Sequence, residues 1–142
     1  KAIYTEVQNS VNRIKYYDIE IDLEEIPMTR ANPAALNQVW TNIILNAADA
    51  MGKNGSLKIR CNNDEKQIWV TIQDSGPGIK EEYLEKIFES SFTTKKRDVK
   101  FGLGLGLSIC RDIVEKHGGS ITAKNARQGG AIFTVTLPIR EM

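Results

Sequence analysis

Between Leu57 and Ile72 apolar and polar residues alternate in two runs, Leu57, Ile59, Cys61 and then Ile68, Val70, Ile72, with a turn over 62–66 between them. That period of two describes two half-buried strands, paired antiparallel, each with one apolar side. Such a hairpin is marginal in water by itself, so its apolar face requires a covering layer. The cover is written just upstream. Asn32 can cap a helix and Pro33 suits its first position. Leu36, Val39, Trp40, Ile43, Ile44, Ala47 and Met51 then form one apolar stripe at helical spacing, and Gly52 and Asn54-Gly55 stop and turn the chain.

The remaining segments repeat this division of labour. Ile3, Val7, Val11 and Ile14 predict a first helix over 1–15, and Ile19, Ile21 and Leu23 predict a strand that ends before Pro27. Leu107, Cys110, Ile113 and Val114 restore helical spacing up to His117, where Gly118-Gly119 ends the helix. Strands over 120–124 and 131–137 flank a Gly129-Gly130 hairpin. The expected fold class is α+β: a two-layer α/β sandwich, its mixed, mostly antiparallel sheet covered on one face by three helices. From Gly76 to Gly104 the pattern weakens to a short helical piece over 81–88 and a stretch rich in Ser, Thr and Lys. A connection that long inside a small domain is usually functional.

At 142 residues and 41% hydrophobic content the chain reads as one domain over 1–142. Its 19 basic and 18 acidic residues are interspersed, so no basic face points to nucleic acid or to an anionic membrane. Cys61 and Cys110 lie within apolar patterns and without metal spacing, and read as buried thiols. No apolar run approaches membrane-spanning length and no leader pattern opens the chain. It starts at Lys1 without Met, which reads as a piece of a longer protein.

Several polar motifs remain once the core pattern is assigned. Asn42 and Asn46 are four apart on the capped helix and share a face, with Asp49 near the next turn. Carboxamide oxygens suit a magnesium ion, although two asparagines alone more often describe a solvated helix face. Asp74 ends a strand that otherwise reads as buried, where a carboxylate needs a hydrogen-bond partner. Gly76 and Gly78 permit close approach of backbone to a flat base, and Pro77 stiffens the turn; Asp-Ser-Gly-Pro-Gly is also a common plain turn. Gly102, Gly104 and Gly106 precede a helix expected to begin near Gly106, so consecutive amides and the helix dipole can face an anion. No strand precedes Gly102 and no Gly-Lys-Ser/Thr follows, which excludes a dinucleotide fingerprint and a P-loop. His117, the only histidine, closes a helix and reads as a cap on terminal carbonyls.

In this order the asparagine helix, 74–79, 88–95 and 102–107 resemble the ATP site shared by gyrase, heat-shock chaperone, histidine kinase and mismatch-repair ATPases, the GHKL or Bergerat-fold superfamily. Within it the chain resembles the catalytic and ATP-binding domain of a sensor histidine kinase. The Phe92-Thr93-Thr94-Lys95 and Gly104-Leu105-Gly106-Leu107-Ser108 wording is similar to the nitrogen-regulator type. The resemblance implies an ATP lid over about 80–104, with Phe88 and Phe92 pinning it and Lys95 or Arg97 reaching the phosphates. It implies Asn46 as the magnesium ligand and Asn42, Asn46 and Lys95 as the catalytic set. Nucleotide contacts are implied for Asn46, Asp49, Asp74, Gly76, Gly78, Ile79, Phe88, Gly102, Leu103, Gly104, Leu105, Gly106, Leu107 and Thr134.

Other superfamily members that hydrolyse ATP carry a glutamate base where this chain has Asn42, so transfer to another acceptor is implied over hydrolysis. Asp49, Ser90-Ser91 and Ala131 stand where Lys or Arg, Pro-Phe and Thr are commoner in the family. No phosphoacceptor histidine box is present. The implied ligands are ATP and Mg2+; the implied partners are the histidine-containing dimerisation domain of the parent kinase and a downstream response regulator, with no nucleic acid. The isolated domain is expected to be a monomer of a homodimeric parent, cytoplasmic, with any membrane anchor lying elsewhere. Two rivals share the motifs: a nucleotide-sensing module without catalysis, and a serine kinase of the anti-sigma-factor kind.

Overall fold

The computed structural model describes residues 18–23, 32–52, 55–89 and 103–139. Among them the sheet has strands β1 Asp18–Leu23, β2 Ser56–Asn63, β3 Gln67–Asp74, β4 Ser120–Asn125 and β5 Ala131–Pro138. Their spatial order is β1-β2-β3-β5-β4. Helices α1 Pro33–Met51 and α2 Leu103–Lys116 accompany it, with one 3-10 turn at Glu81–Tyr83.

β2 and β3 form the antiparallel hairpin that the alternation predicts, with Ile59 opposite Ile72 and Cys61 opposite Val70. Asp64 fixes its turn. Its Oδ1 accepts the Lys66 and Gln67 N–H groups at 2.8 Å each, and these bonds hold the carboxyl below the ordinary Asp range. β5 pairs antiparallel with β3, Phe133 opposite Ile72, and β4 pairs antiparallel with β5. β1 joins β2 in parallel, Ile19 beside Leu57. Parallel neighbours need a crossover rather than a tight turn, and α1 lies in that connection.

Along β2, β3 and β5 every second residue is buried toward the helices. Leu57, Ile59, Ile68, Val70, Ile72, Phe133 and Val135 are at most 2% exposed, as are Val39, Trp40, Ile43 and Ile44 of α1 and Cys110 and Val114 of α2. Burying one such side chain is worth about 1.5–3 kcal/mol, so this interface carries most of the fold's stability.

The helix ends follow local chemistry. Asn32 Oδ1 accepts the Ala35 N–H at 3.1 Å at the start of α1, and the Gly52 N–H reaches back to the Ala48 carbonyl at its end. At the end of α2 the Gly118 N–H donates to Glu115 O and the Gly119 N–H to Val114 O, the paired bonds of a Schellman stop. His117 Nδ1 lies 2.8 Å from Ile113 O, and Nε2 accepts the Asn32 N–H at 3.0 Å. A neutral ring protonated on Nδ1 thus caps α2 and ties its end to the start of α1.

Two elements differ from the sequence expectation. α2 begins at Leu103 rather than near Gly106, so Gly104 and Gly106 belong to its first turn. Glycine costs about 1 kcal/mol against alanine in a helix, but the alternating leucines are good helix formers and Leu107 is drawn into the core. Over 81–88 only the 3-10 turn forms, followed by turns in which the Lys86 and Ile87 N–H groups share the Tyr83 carbonyl. Lys80, at its start, supplies no side-chain cap. The helix expected over 1–15 lies outside the described residues, so two of the three expected covering helices are seen. No helix among the described residues is long and apolar enough to cross a membrane.

Candidate functional site

α1 acts as a ruler along which two other elements are set. Near its middle, Asn42 Nδ2 donates to the Gly106 carbonyl of α2 at 3.3 Å. A Cβ on Gly106 would sit 3.4 Å from that same Nδ2, so the start of α2 lies with its backbone against Asn42. At the C-terminal turn of α1, the loop after β3 is seated: a Cβ on Gly76 would lie 3.5 Å from the Ala50 carbonyl, and the Ser75 N–H and Oγ both lie 3.5 Å from Met51 Sδ. Asn46, half-buried, falls one turn beyond Asn42 and one turn before Ala50 on the same side. From Asn42 to Ala50 the axis rises about 12 Å, enough to separate a base from its phosphates.

Asp74 marks one end of this line. It is 5% exposed, and its Oδ1 accepts the Gly76 N–H at 2.8 Å and the Ala131 N–H at 3.2 Å. Oδ2 accepts no hydrogen bond from the described residues. Burial raises the carboxyl above the ordinary Asp range, and the two N–H bonds pull it part of the way back. Gly130 allows this seat to form. Its φ is 89°, and a Cβ there would run into the Asp74 carbonyl oxygen.

The start of α2 marks the other end. The first four N–H groups of a helix have no intrahelical partner and carry the positive end of the dipole. With α2 starting at Leu103, the amides of Leu103, Gly104 and Leu105 are among those four. The anion-facing amides expected ahead of the helix are thus partly the helix's own.

Other residues from the sequence-derived set are placed differently. Phe88 is 6% exposed in the main core, with its ring 6.2 Å from that of Phe133 in an edge-on contact at 84°. Leu107 is 6% exposed and its side chain also belongs to the core. Thr134 alternates with buried Phe133 and Val135, which puts it on the sheet face opposite Asp74. Asp49 is half-buried near the C-terminal half of α1 and Ile79 is half-buried against the core. Phe92, Lys95, Arg97 and Gly102 lie outside the described residues, as do the side chains of Leu103 and Leu105.

One residue has no warning in the sequence. Asn125, at the end of β4, accepts the Ile79 N–H through Oδ1 at 2.7 Å and donates through Nδ2 to the Ile79 carbonyl at 2.6 Å. The two residues are 46 apart in the chain, and an asparagine before a glycine hairpin reads only as turn chemistry.

Residues 31–141 match the family described as Histidine kinase-, DNA gyrase B-, and HSP90-like ATPase. The chain is 38% identical over 117 residues to the sensor histidine kinase ZraS of Salmonella typhimurium, covering 82% of this chain and 24% of that protein. It is 37% identical over 135 residues to the sensor protein KdpD of Clostridium acetobutylicum, covering 93% of this chain and 15% of that protein. The chain thus spans a quarter or less of the length of these curated relatives. Among solved structures, the catalytic domain of histidine kinase ThkA, in a nucleotide-free form, superposes with a TM-score of 0.83 at 31% identity, covering 99% of this chain and 96% of that one. The mycobacterial sensor histidine kinase MprB superposes with a TM-score of 0.84 at 25% identity, covering 99% and 95%.

Proposed function

Because the chain belongs to the histidine kinase-, DNA gyrase B- and HSP90-like ATPases and is the catalytic ATPase domain of a two-component sensor histidine kinase, we propose that it holds Mg-ATP along α1, base at Asp74 and phosphates at the start of α2. The γ-phosphoryl then passes to a histidine on a separate dimerisation domain. One observation carries this reading: a buried carboxylate, one of whose oxygens takes no hydrogen bond from the described residues, stands at the C-terminal end of α1, and the N-terminus of α2 lies against the middle of α1, two turns away.

The chemistry at each end fits that ligand. Asp74 Oδ2 can accept a hydrogen bond from the exocyclic amino group of adenine, which supplies the partner a buried carboxylate lacks. Gly76 keeps the wall beside it free of side chain, so the base can lie against backbone. The first-turn amides of α2 can receive the phosphate oxygens. Among the described residues no three His, Cys, Asp or Glu side chains gather as a metal site. Asn46, whose carboxamide faces the same side of α1, would hold magnesium alongside water and phosphate oxygens, and the ion would supply charge neutralisation.

Phosphoryl transfer of this kind asks the protein for positioning and charge stabilisation more than for covalent chemistry. The imidazole nitrogen of the acceptor forms the new bond to Pγ while the bridging oxygen leaves with ADP. Asn42 cannot serve as a base to activate water, and its carboxamide is engaged with Gly106 O, which favours the histidine acceptor over hydrolysis. Lys95, on the segment outside the described residues, is the cation proposed to reach the phosphates. The motif wording over 92–95 and 104–108 supports a parent of the nitrogen-regulator type. ThkA has been solved in complex with a response regulator, which supports a response regulator as the downstream partner here. A cytoplasmic domain, monomeric alone and dimeric through its parent, completes the proposal.

The test is to mix the chain with γ-labelled ATP and the histidine domain of its parent. Label that appears on that domain and is lost in acid supports the reading. Acid-stable label would indicate a serine acceptor, and tight ATP binding without transfer would indicate a nucleotide-sensing module.

A further inference from the structure

We propose that Asn125 is a positioning residue for the nucleotide base: its carboxamide clamps the backbone of Ile79 and so fixes the loop over 75–79 beside Asp74. The proposal rests on the nucleotide reading above and adds to it a residue that contacts no ligand. Residues 75–79 make no backbone-to-backbone hydrogen bond among the described residues. Bonds to side chains replace them: the Ser56 N–H donates to Ser75 Oγ at 2.9 Å, the Ser75 N–H and Oγ meet Met51 Sδ, the Gly76 N–H donates to Asp74 Oδ1, and Asn125 bonds both polar groups of Ile79. All but the last hold the near end of the loop. Among the described residues only Asn125 bonds the far end.

The form of this contact is that of a strand neighbour. One carboxamide takes the N–H and gives to the C=O of a single residue, at 2.7 and 2.6 Å, as a paired strand would. Asn125 is exposed, so these bonds are not there to satisfy a buried side chain. The loop is shaped to receive it. Gly78 has φ 83°, and a Cβ on it would come within 2.8 Å of Asn125 Oδ1 and 3.5 Å of Gly130 O. A side chain at 78 would therefore push the clamp out of register.

The clamp is also tied to Asp74. Asn125 stands directly opposite Ala131 across the β4–β5 ladder, and the Ala131 N–H is one of the two donors to Asp74 Oδ1. A single cross-strand pair thus holds the carboxylate through one member and the following loop through the other. The consequence is that the distance between Asp74 and Ile79 is set by the end of the β4–β5 hairpin. A base that must meet the carboxylate edge-on and lie against the loop depends on that distance.

The experiment compares the unaltered chain with Asn125→Ala, Asn125→Asp and Arg127→Ala, the last an exposed change in the same hairpin. Calorimetric affinities for Mg-ATP and Mg-ADP and the hydrogen exchange of the Ile79 amide are measured well below the thermal midpoint. Asn125→Ala is expected to weaken both nucleotides by the same factor, roughly tenfold, and to remove protection at Ile79 while β3 and β5 amides keep theirs. Asn125→Asp retains the acceptor but sets a carboxylate oxygen against the Ile79 carbonyl, and is expected to lose at least as much. Arg127→Ala is expected to match the unaltered chain. Loss of Ile79 protection with nucleotide affinity unchanged within twofold would reduce the clamp to a loop staple and overturn the proposal. Ile79 protection unchanged in Asn125→Ala would overturn the clamp itself. Failure of the unaltered chain to bind either nucleotide would instead remove the nucleotide reading, and the positioning role with it.

Discussion

Replacing Asp74 by Asn separates what that side chain does for the fold from what it does for a ligand. Asn can present the same Oδ1 to the Gly76 and Ala131 N–H groups, which approach at 2.8 and 3.2 Å. Those two bonds weaken from charge-assisted to neutral, a loss of about 0.5–1.5 kcal/mol each. Against that, the desolvation of a buried anion is removed, and desolvation is the larger influence, since the carboxyl is raised overall. The free variant is therefore expected to be at least as stable as the parent at neutral pH. The pH dependence has a definite sign. A carboxyl raised in the folded state binds its proton more tightly there than in the unfolded chain, so Asp74 favours folding most below the ordinary Asp range. That contribution is lost as pH rises from the ordinary Asp range through the raised folded value, and the Asn variant does not show it. For the ligand the change is adverse: an amide NH2 replaces Oδ2 and meets the adenine amino group donor to donor. Loss of a hydrogen bond to a charged acceptor costs about 1.5–3 kcal/mol, which is roughly a 10- to 150-fold rise in Kd for Mg-ATP. Titration calorimetry reads the second effect, and urea melts across a pH series read the first. Unchanged affinity would refute the base contact, and a variant clearly less stable at neutral pH would refute the claim that desolvation outweighs the two bonds.

Three further changes probe the frame around the site. Gly130→Ala is expected to cost about 2–4 kcal/mol, because φ is 89° and a Cβ would strike the Asp74 carbonyl; an unshifted urea midpoint would contradict that close approach. Asn32→Ala removes the cap of α1 and is expected to cost about 1 kcal/mol in the same assay, with nucleotide affinity unaltered. Burial, only partly offset by contact with Asn42, pushes the Cys110 thiol up to about 12. About one thiolate in ten thousand then exists at pH 8, so a disulfide reagent should leave Cys110 unlabelled until urea unfolds the chain, and rapid labelling of the native protein would contradict the packing.

The fold was legible where a local pattern and its partner were close in the chain. The cap at Asn32, the stripe from Leu36 to Ala47 and the β2–β3 alternation each state a periodicity that packing then satisfies. The start of α2 was misread because glycines at 104 and 106 look like loop residues, and only contact with Asn42 shows why a helix runs through them. The contact that buries Phe88 was not legible, because Phe133, against which its ring packs, is far along the chain. Of the site, Asp74 was legible because a carboxylate on a buried alternation is anomalous by itself. Asn125 was not, since nothing about it is anomalous until β4 and the loop are adjacent.

The two ends of the proposed site use different physical devices, and the difference follows from what each must do. At the base end the free protein holds a largely buried carboxylate with one oxygen unpartnered among the described residues, and burial raises its carboxyl, so part of its desolvation cost is still standing before ligand arrives. A purine bearing an amino group relieves that cost; one bearing a carbonyl oxygen there adds repulsion to it. Discrimination thus arises from the penalty on the wrong base as much as from the bond to the right one, and it requires a wall that does not yield. The hydrogen bonds from Gly76 and Ala131, the contact under Gly130 and the clamp from Asn125 supply that rigidity. At the phosphate end the donors are backbone amides of a helix start, which hold charge without titrating and read no sequence. They tolerate a γ-phosphoryl group that must leave for another domain, whereas a tightly shaped side-chain cage would favour the bound substrate over the transferring one.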